Sequence, residues 1–208
     1  YAHENFETES IDKIFADAGD PNFIKDTFEP NIARLAQTDT GDQVGVPYSL
    51  SLPVLYYNPD IFKAAGLDPN KPPTTWTEVA EYAKQIKEKT GNPAFFMQEY
   101  ADTWTNQALV ESNGGTMLTH KDGKWQAGFD TPEAAYAYQV IADMVKNGTG
   151  LHATNEEGFQ SFTSGKLAMV ATTIGKRANF EKSSNFKVMT TTFPAFGNKP
   201  VKVPAGGN

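Results

Sequence analysis

The chain has 208 residues, 39% hydrophobic and 21% charged, enough apolar material for one well-buried domain or two small ones and too much for a disordered chain. Its formal net charge of −7 comes without any basic run, which argues against a nucleic-acid surface, because phosphate contacts need clustered Lys and Arg. Cysteine is absent, which removes disulfide frameworks, thiolate metal sites and cysteine nucleophiles together, and apolar runs such as "PVLYY" are far too short for a membrane-spanning helix.

Residues 10–18 read as a short helix opened by Ser10 and ended by Gly19. The first 45 residues are otherwise polar, carry little strand signal and fit poorly with a self-contained core. Next comes "VPYSLSLPVLYYNPDIFKAAGLDP", residues 46–69, a strand-like run between prolines that breaks into a short helix. Ser49 and Ser51 share a parity there, so in a strand both hydroxyls face one side. Buried hydroxyls need partners, and either neighbouring backbone or a ligand supplies them.

Thr75 to Glu78 form a capping-box pattern, and Val79, Tyr82, Ala83 and Ile86 follow at helical spacing until Gly91. Residues 94–97 read as a strand, followed by "QEYAD" and then Trp104 near a helix start. Residues 117–129 read as a hairpin turning at Asp122-Gly123. Thr131-Pro132-Glu133 opens a helix with the stripe Ala134, Tyr138, Ile141, Ala142 and Val145, stopped by Asn147-Gly148. Another helix starts at Asn155 with Glu156 and Glu157 in its first turn and Phe159 and Phe162 on one face. Residues 167–172 and 187–193 complete the strands; between them, in "ATTIGKRANF", Gly175 opens a helix whose first turn holds Lys176 and Arg177. Strands alternating with helices argue an α/β layered fold.

No catalytic motif survives inspection. His3, His120 and His152 fit no metal-ligand spacing, so neither metal nor cofactor is expected. Ser10 to Lys13 matches Ser-x-x-Lys without the accompanying motifs, and "GFQSFTSGK" has the wrong glycine spacing for a phosphate loop. Glu99 and Asp102 are a candidate carboxylate pair, but a glycosidase needs its carboxylates facing each other across a cleft, and spacing alone does not place them so. Trp104 has two readings, a core residue or a ligand-facing aromatic at a strand-to-helix junction. Trp76 and Trp125 are expected to be packing residues. Lys176 and Arg177 oppose a helix dipole, so either solvent screens them or an anion sits at that terminus.

"VPYSLSLPVLYYNPDIFKAAGLDPNKPPTTWTEVAEYAKQIK" resembles the hinge and following segment of extracellular solute-binding proteins of sugar-type ABC importers, closest to the glycerol-3-phosphate-binding branch. The resemblance continues through "SNGG", "FDTPEA", "FTSGKLAM" and the glycines at 206 and 207. It implies a periplasmic-binding-protein-like α/β fold of type II, similar to maltose-binding protein, with solute held between two lobes. Residues 1–45 would be the end of the first lobe, 46–52 a crossing strand, 53–200 most of the second lobe and 201–208 the return to the hinge. Carried over by position, Ser49 and Ser51 lie on the crossing strand, Trp104 matches a solute-contacting aromatic, Thr173 or Gly175 matches a serine-rich turn, and Gly206 and Gly207 match a backbone contact. The turn departs from the family, reading Thr-Thr-Ile-Gly-Lys-Arg where the glycerol-phosphate branch is rich in Ser.

The implied function is capture of a sugar or glycerol phosphate in an interlobe cleft, outside the cell or in the periplasm, and delivery to ABC permease subunits, without enzymatic turnover. The chain begins at Tyr1, so an excised piece with a lipid anchor on a missing N-terminal segment belongs to that expectation. A glycan-processing enzyme and a non-transport adhesion domain are the competing classes.

Overall fold

The computed structural model describes residues 9–98 and 103–205, and these divide into two compact units. One unit ends at Ser51 and is rejoined at Ala205; the other is Leu52–Pro204.

The first unit is a string of short helices. Helix α1 (Ile11–Asp17) follows Ser10, whose side chain makes no capping bond, and it is succeeded by α2 (Phe23–Thr27), α3 (Pro30–Ala33) and a 3-10 turn Arg34–Ala36. Elements of four or five residues are too short to leave a readable period, which is why only α1 is expected from sequence. Phe15 stacks on Phe23 at 4.1 Å between centroids, and Ile24, Ala33 and Ala36 are the buried apolar residues among those described in this unit. Gln43 is buried with them and donates from Nε2 to the Gly45 carbonyl at 2.7 Å and the Ala33 carbonyl at 3.2 Å. The expected strand over residues 46–52 does not form: the segment is irregular, with a single bridge at Ser51. Pro47 and Pro53 lack the N–H that a continuous ladder needs, so pairing begins only at the first residue of the next strand.

The second unit is built on a sheet. Strand β1 (Pro53–Tyr57) leads into α4 (Pro59–Ala64) and α5 (Trp76–Thr90), then β2 (Phe95–Met97) and α6 (Thr103–Ser112). A hairpin, β3 (Leu118–Lys121) and β4 (Lys124–Ala127), precedes α7 (Pro132–Lys146) and α8 (Asn155–Thr163). Then come β5 (Met169–Thr173), a 3-10 turn Ile174–Lys176, α9 (Arg177–Ser183) and β6 (Met189–Thr192). The main sheet has the order β2-β5-β1-β6, with β2 parallel to β5 and β1 antiparallel to both β5 and β6.

Both faces of this sheet are covered. Leu55, Tyr57, Phe95, Met97, Met169 and Ala171 face one cluster, closed by α5, α6 and α7. The alternate residues Val54, Tyr56, Phe96 and Val170 face a second, closed by Phe162 of α8 and Phe180 of α9. Alternation places neighbours on opposite faces, and burial of both is why β1 reads as an unbroken apolar run.

The helix signals hold for α5. Thr75 accepts from the Glu78 backbone and Glu78 reaches back to the Thr74 and Thr75 amides, while Gly91 closes the helix at φ 76°, a left-handed conformation that suits glycine. The stripe of α7 is rotated from the expected one: Ala134, Ala137, Ile141 and Met144 are buried, while Tyr138 and Ala142 are exposed and Val145 is half-buried. The hairpin turns where expected, with Asp122 at φ 52° and Gly123 at φ 74°, but every strand residue in it is exposed. Trp125 is therefore not a packing residue. It is 67% exposed and lies 5.0 Å from the His120 ring, because nothing among the described residues covers either face of the hairpin.

Candidate functional site

Parallel pairing of Phe95 with Met169 and of Met97 with Ala171 brings the carboxyl ends of β2 and β5 to the same end of the sheet. Strand β1 enters there, since Pro53 pairs with Thr173 and the Ile174 amide donates to the Leu52 carbonyl at 2.8 Å. Helix α6 begins shortly after β2, and the 3-10 turn begins directly after β5. Carboxyl ends of adjacent strands, each followed by a helix start, leave backbone groups and side chains free to meet a ligand.

Gln98 is the first residue past β2 and is held at three points. Its amide donates to the Ala171 carbonyl at 3.0 Å, its carbonyl accepts from the Thr105 hydroxyl, and its Oε1 accepts from the Thr172 hydroxyl. Thr105 and Thr172 are fully buried, so their hydroxyls are fixed donors. Thr173 caps the 3-10 turn, its Oγ1 accepting from the Gly175 amide at 3.2 Å. From beneath, Tyr56 Oη donates to the carbonyls of Thr173 at 3.1 Å and Ile174 at 2.9 Å. Burial pushes the Tyr56 phenol far above its ordinary range, against a smaller opposing pull from Arg177, so it stays a donor.

The turn differs in detail from the expected helix. Ile174–Lys176 is a 3-10 turn opened by Thr173, and the α-helix starts only at Arg177, because the Thr173 side chain captures the Gly175 N–H first. Both cations have partners within the chain. Arg177 Nε donates to Glu181 Oε1 at 2.8 Å, one helical turn away, and Lys176 Nζ lies 5.2 Å from the centre of the Phe159 ring.

Of the residues singled out from sequence, Trp104, Thr173 and Gly175 lie at the ends of the adjacent strands β2 and β5. Trp104 is the second residue of α6 and half-buried, Thr173 is half-buried and Gly175 exposed. Ser49 and Ser51 belong to the other unit, the first exposed and the second half-buried. Gly206 and Gly207, like Glu99, Asp102 and His3, lie outside the described residues. Sequence reasoning missed Gln98, Thr105 and Tyr56. The first polar residue after an apolar strand was the available signal for Gln98; Tyr56 looked like core and is core except for its hydroxyl.

A separate groove of about 660 Å³ lies between α5 and α7, lined by buried Trp76, Met144 and Phe196 and by exposed Glu81 and Asp143. It contains none of the ligand-binding residues expected from sequence. Among the described residues no group of three His, Asp or Glu is placed to hold a metal ion.

Comparison with known proteins places these features in context. Residues 8–208 match the family model described as bacterial extracellular solute-binding protein. The chain is 36% identical over 172 residues to the sn-glycerol-3-phosphate-binding periplasmic protein UgpB of Brucella abortus, a match covering 79% of this chain and 39% of that protein. It therefore spans well under half the length of that relative. Among solved structures, the cyclic alpha-maltosyl-1,6-maltose binding protein from Arthrobacter globiformis superposes with a TM-score of 0.73 at 28% identity, over 86% of this chain and 45% of its own. UgpB from Mycobacterium tuberculosis, in complex with glycerophosphocholine, gives a TM-score of 0.79 at 22% identity, over 96% of this chain and 50% of its own.

Proposed function

The chain belongs to the bacterial extracellular solute-binding protein family, and from that premise we propose that it is the solute-capturing component of an ABC importer. It takes a carbohydrate or a glycerol phosphate outside the cytoplasmic membrane and delivers it to permease subunits, binding without converting it. The observation that carries this reading is the end of the main sheet. There a half-buried indole at Trp104, the polar turn Thr173–Gly175 and the clamped Gln98 stand at adjacent strand ends, with no catalytic constellation among them. An aromatic face offers contact area to the C–H face of a polyol, and a few placed polar groups orient it.

By resemblance, Ser49 and Ser51 are further hydroxyl contacts and Gly206 and Gly207 backbone contacts. Residues 1–45 and 53–200 are assigned to the first and second lobes, with 46–52 and 201–208 as the hinge segments. The test is a thermal-shift and calorimetric screen with glycerol-3-phosphate, glycerophosphocholine, maltose and glycerol, each followed by analysis of the solute. A bound solute raises the melting temperature by mass action and is recovered unchanged. Turnover of any of them, or no shift with any, overturns the proposal.

A further inference from the structure

We infer that Tyr56 is a positioning residue for solute capture: its hydroxyl, acting from inside the core, holds the turn after β5 in the shape in which Thr173 and Gly175 meet solute. The inference rests on the solute-binding reading above. The Tyr56 ring is fully buried and packs against Phe162 of α8 and Phe180 of α9. From that fixed base Oη donates to the Thr173 carbonyl at 3.1 Å and to the Ile174 carbonyl at 2.9 Å. A phenol has one proton, so the two carbonyls share it, and both are drawn toward the core side of the turn. Burial keeps that proton in place well beyond the neutral range, so the donor is permanent.

The other bonds of the turn divide into two kinds. The Gly175 amide donates to Thr173 Oγ1 at 3.2 Å and the Arg177 amide to the Ile174 carbonyl; these are local and travel with the turn. The Ile174 amide donates to the Leu52 carbonyl at 2.8 Å, and this bond, with those from Tyr56, fixes the turn on the β1 side of the sheet. Removing the hydroxyl leaves the Thr173 carbonyl without its inner donor while every ring contact remains. A turn that is no longer held must be ordered again each time solute binds, and that cost appears as lost affinity. Tyr57 supplies the matched control. It is also buried, its side chain lies on the opposite face of the sheet, and it pairs with Met169 at the far end of β5. Its Oη donates to the Pro69 carbonyl at 3.1 Å, so Tyr57→Phe removes a comparable bond that has no part in the turn.

The experiment is calorimetric titration of the protein, and of its Tyr56→Phe and Tyr57→Phe variants, with glycerol-3-phosphate, glycerophosphocholine, maltose and glycerol, well below the melting temperature of each. Urea midpoints and amide exchange are measured alongside. Both variants should lose a similar amount of stability. Tyr56→Phe alone should weaken the solute that the unaltered protein binds by about tenfold, the worth of one hydrogen bond, and should speed exchange of the Ile174 and Gly175 amides by a similar factor. A loss of stability without a role in the turn would move neither reading differently in the two variants. Unchanged affinity in Tyr56→Phe, or an equal loss in Tyr57→Phe, overturns the inference while leaving the solute-binding reading intact. Failure of all four solutes to bind the unaltered protein removes both.

Discussion

At the scale of single residues, Tyr56 joins the core to the candidate site at the end of the sheet. Its ring is packed against Phe162 and Phe180, and its hydroxyl braces the turn after β5. Because burial raises its folded-state value above the ordinary 10.0, its contribution to stability is complete below about pH 10 and is lost as pH climbs through the range above it. In an alkaline absorbance titration Tyr56 should therefore ionise only as the fold opens, and Tyr56→Phe should reduce that late phase by one tyrosine. An unchanged late phase would mean that another tyrosine carries it. Trp104 makes the complementary case. Trp104 is half-buried at the second position of α6, and on the solute-binding reading Trp104→Ala should weaken solute binding by about ten- to a hundredfold while shifting the melting temperature only slightly. A variant that melts much earlier, yet binds normally when folded, would return Trp104 to the core.

At the scale of elements, α8 shows how packing overrides propensity. Replacing a helical glycine with alanine ordinarily gains about 1 kcal/mol. At Gly158 the new Cβ would stand 2.4 Å from Phe96 Cε1 and 2.5 Å from its Cδ1, inside a ring that is itself buried and packed edge-on against Phe159. Overpacking of that kind costs about 1–3 kcal/mol, so Gly158→Ala should lower the urea midpoint with the slope unchanged, and a raised midpoint would show that Phe96 can move aside. The same comparison explains what was legible. Caps at Thr75 and Thr131 were readable because a hydroxyl bonding the first-turn amides is a local event. The stripe of α7 was not, because Ala137 and Ala142 are equally apolar and only the neighbouring helices decide which is inside. The hairpin was readable as a hairpin, but alternation does not say whether a face will be covered, and Trp125 was misplaced for that reason.

At the scale of the molecule, the two units are unequal. Every buried apolar residue among those described, other than Ile24, Ala33 and Ala36, lies in Leu52–Pro204. Stability follows buried apolar area, so amide exchange should be slowest at β1 and β5, around Leu55 and Val170, and faster by orders of magnitude in α1, α2 and α3. Equal protection in both sets would show that they open as one. Motif order made the family legible along nearly the whole chain, and the strand-end position of Trp104 and Thr173 was legible with it. The Gln98 clamp was not, because it joins residues 98, 105 and 172, and only the parallel pairing of β2 with β5 makes them neighbours.

The three tryptophans sit in three different surroundings: Trp76 at 2% exposure, Trp104 half-buried beside the strand ends, and Trp125 at 67% exposure. Their fluorescence is thus divided by depth without any label. A collisional quencher such as acrylamide strips the red-shifted emission of Trp125 first. A solute that lands on Trp104 shields one further fraction, and the blue-shifted remainder from Trp76 stays dark to the quencher until the sheet itself comes apart. With Trp125→Phe removing the exposed background, capture of solute and loss of the fold become two separate optical signals in one cuvette.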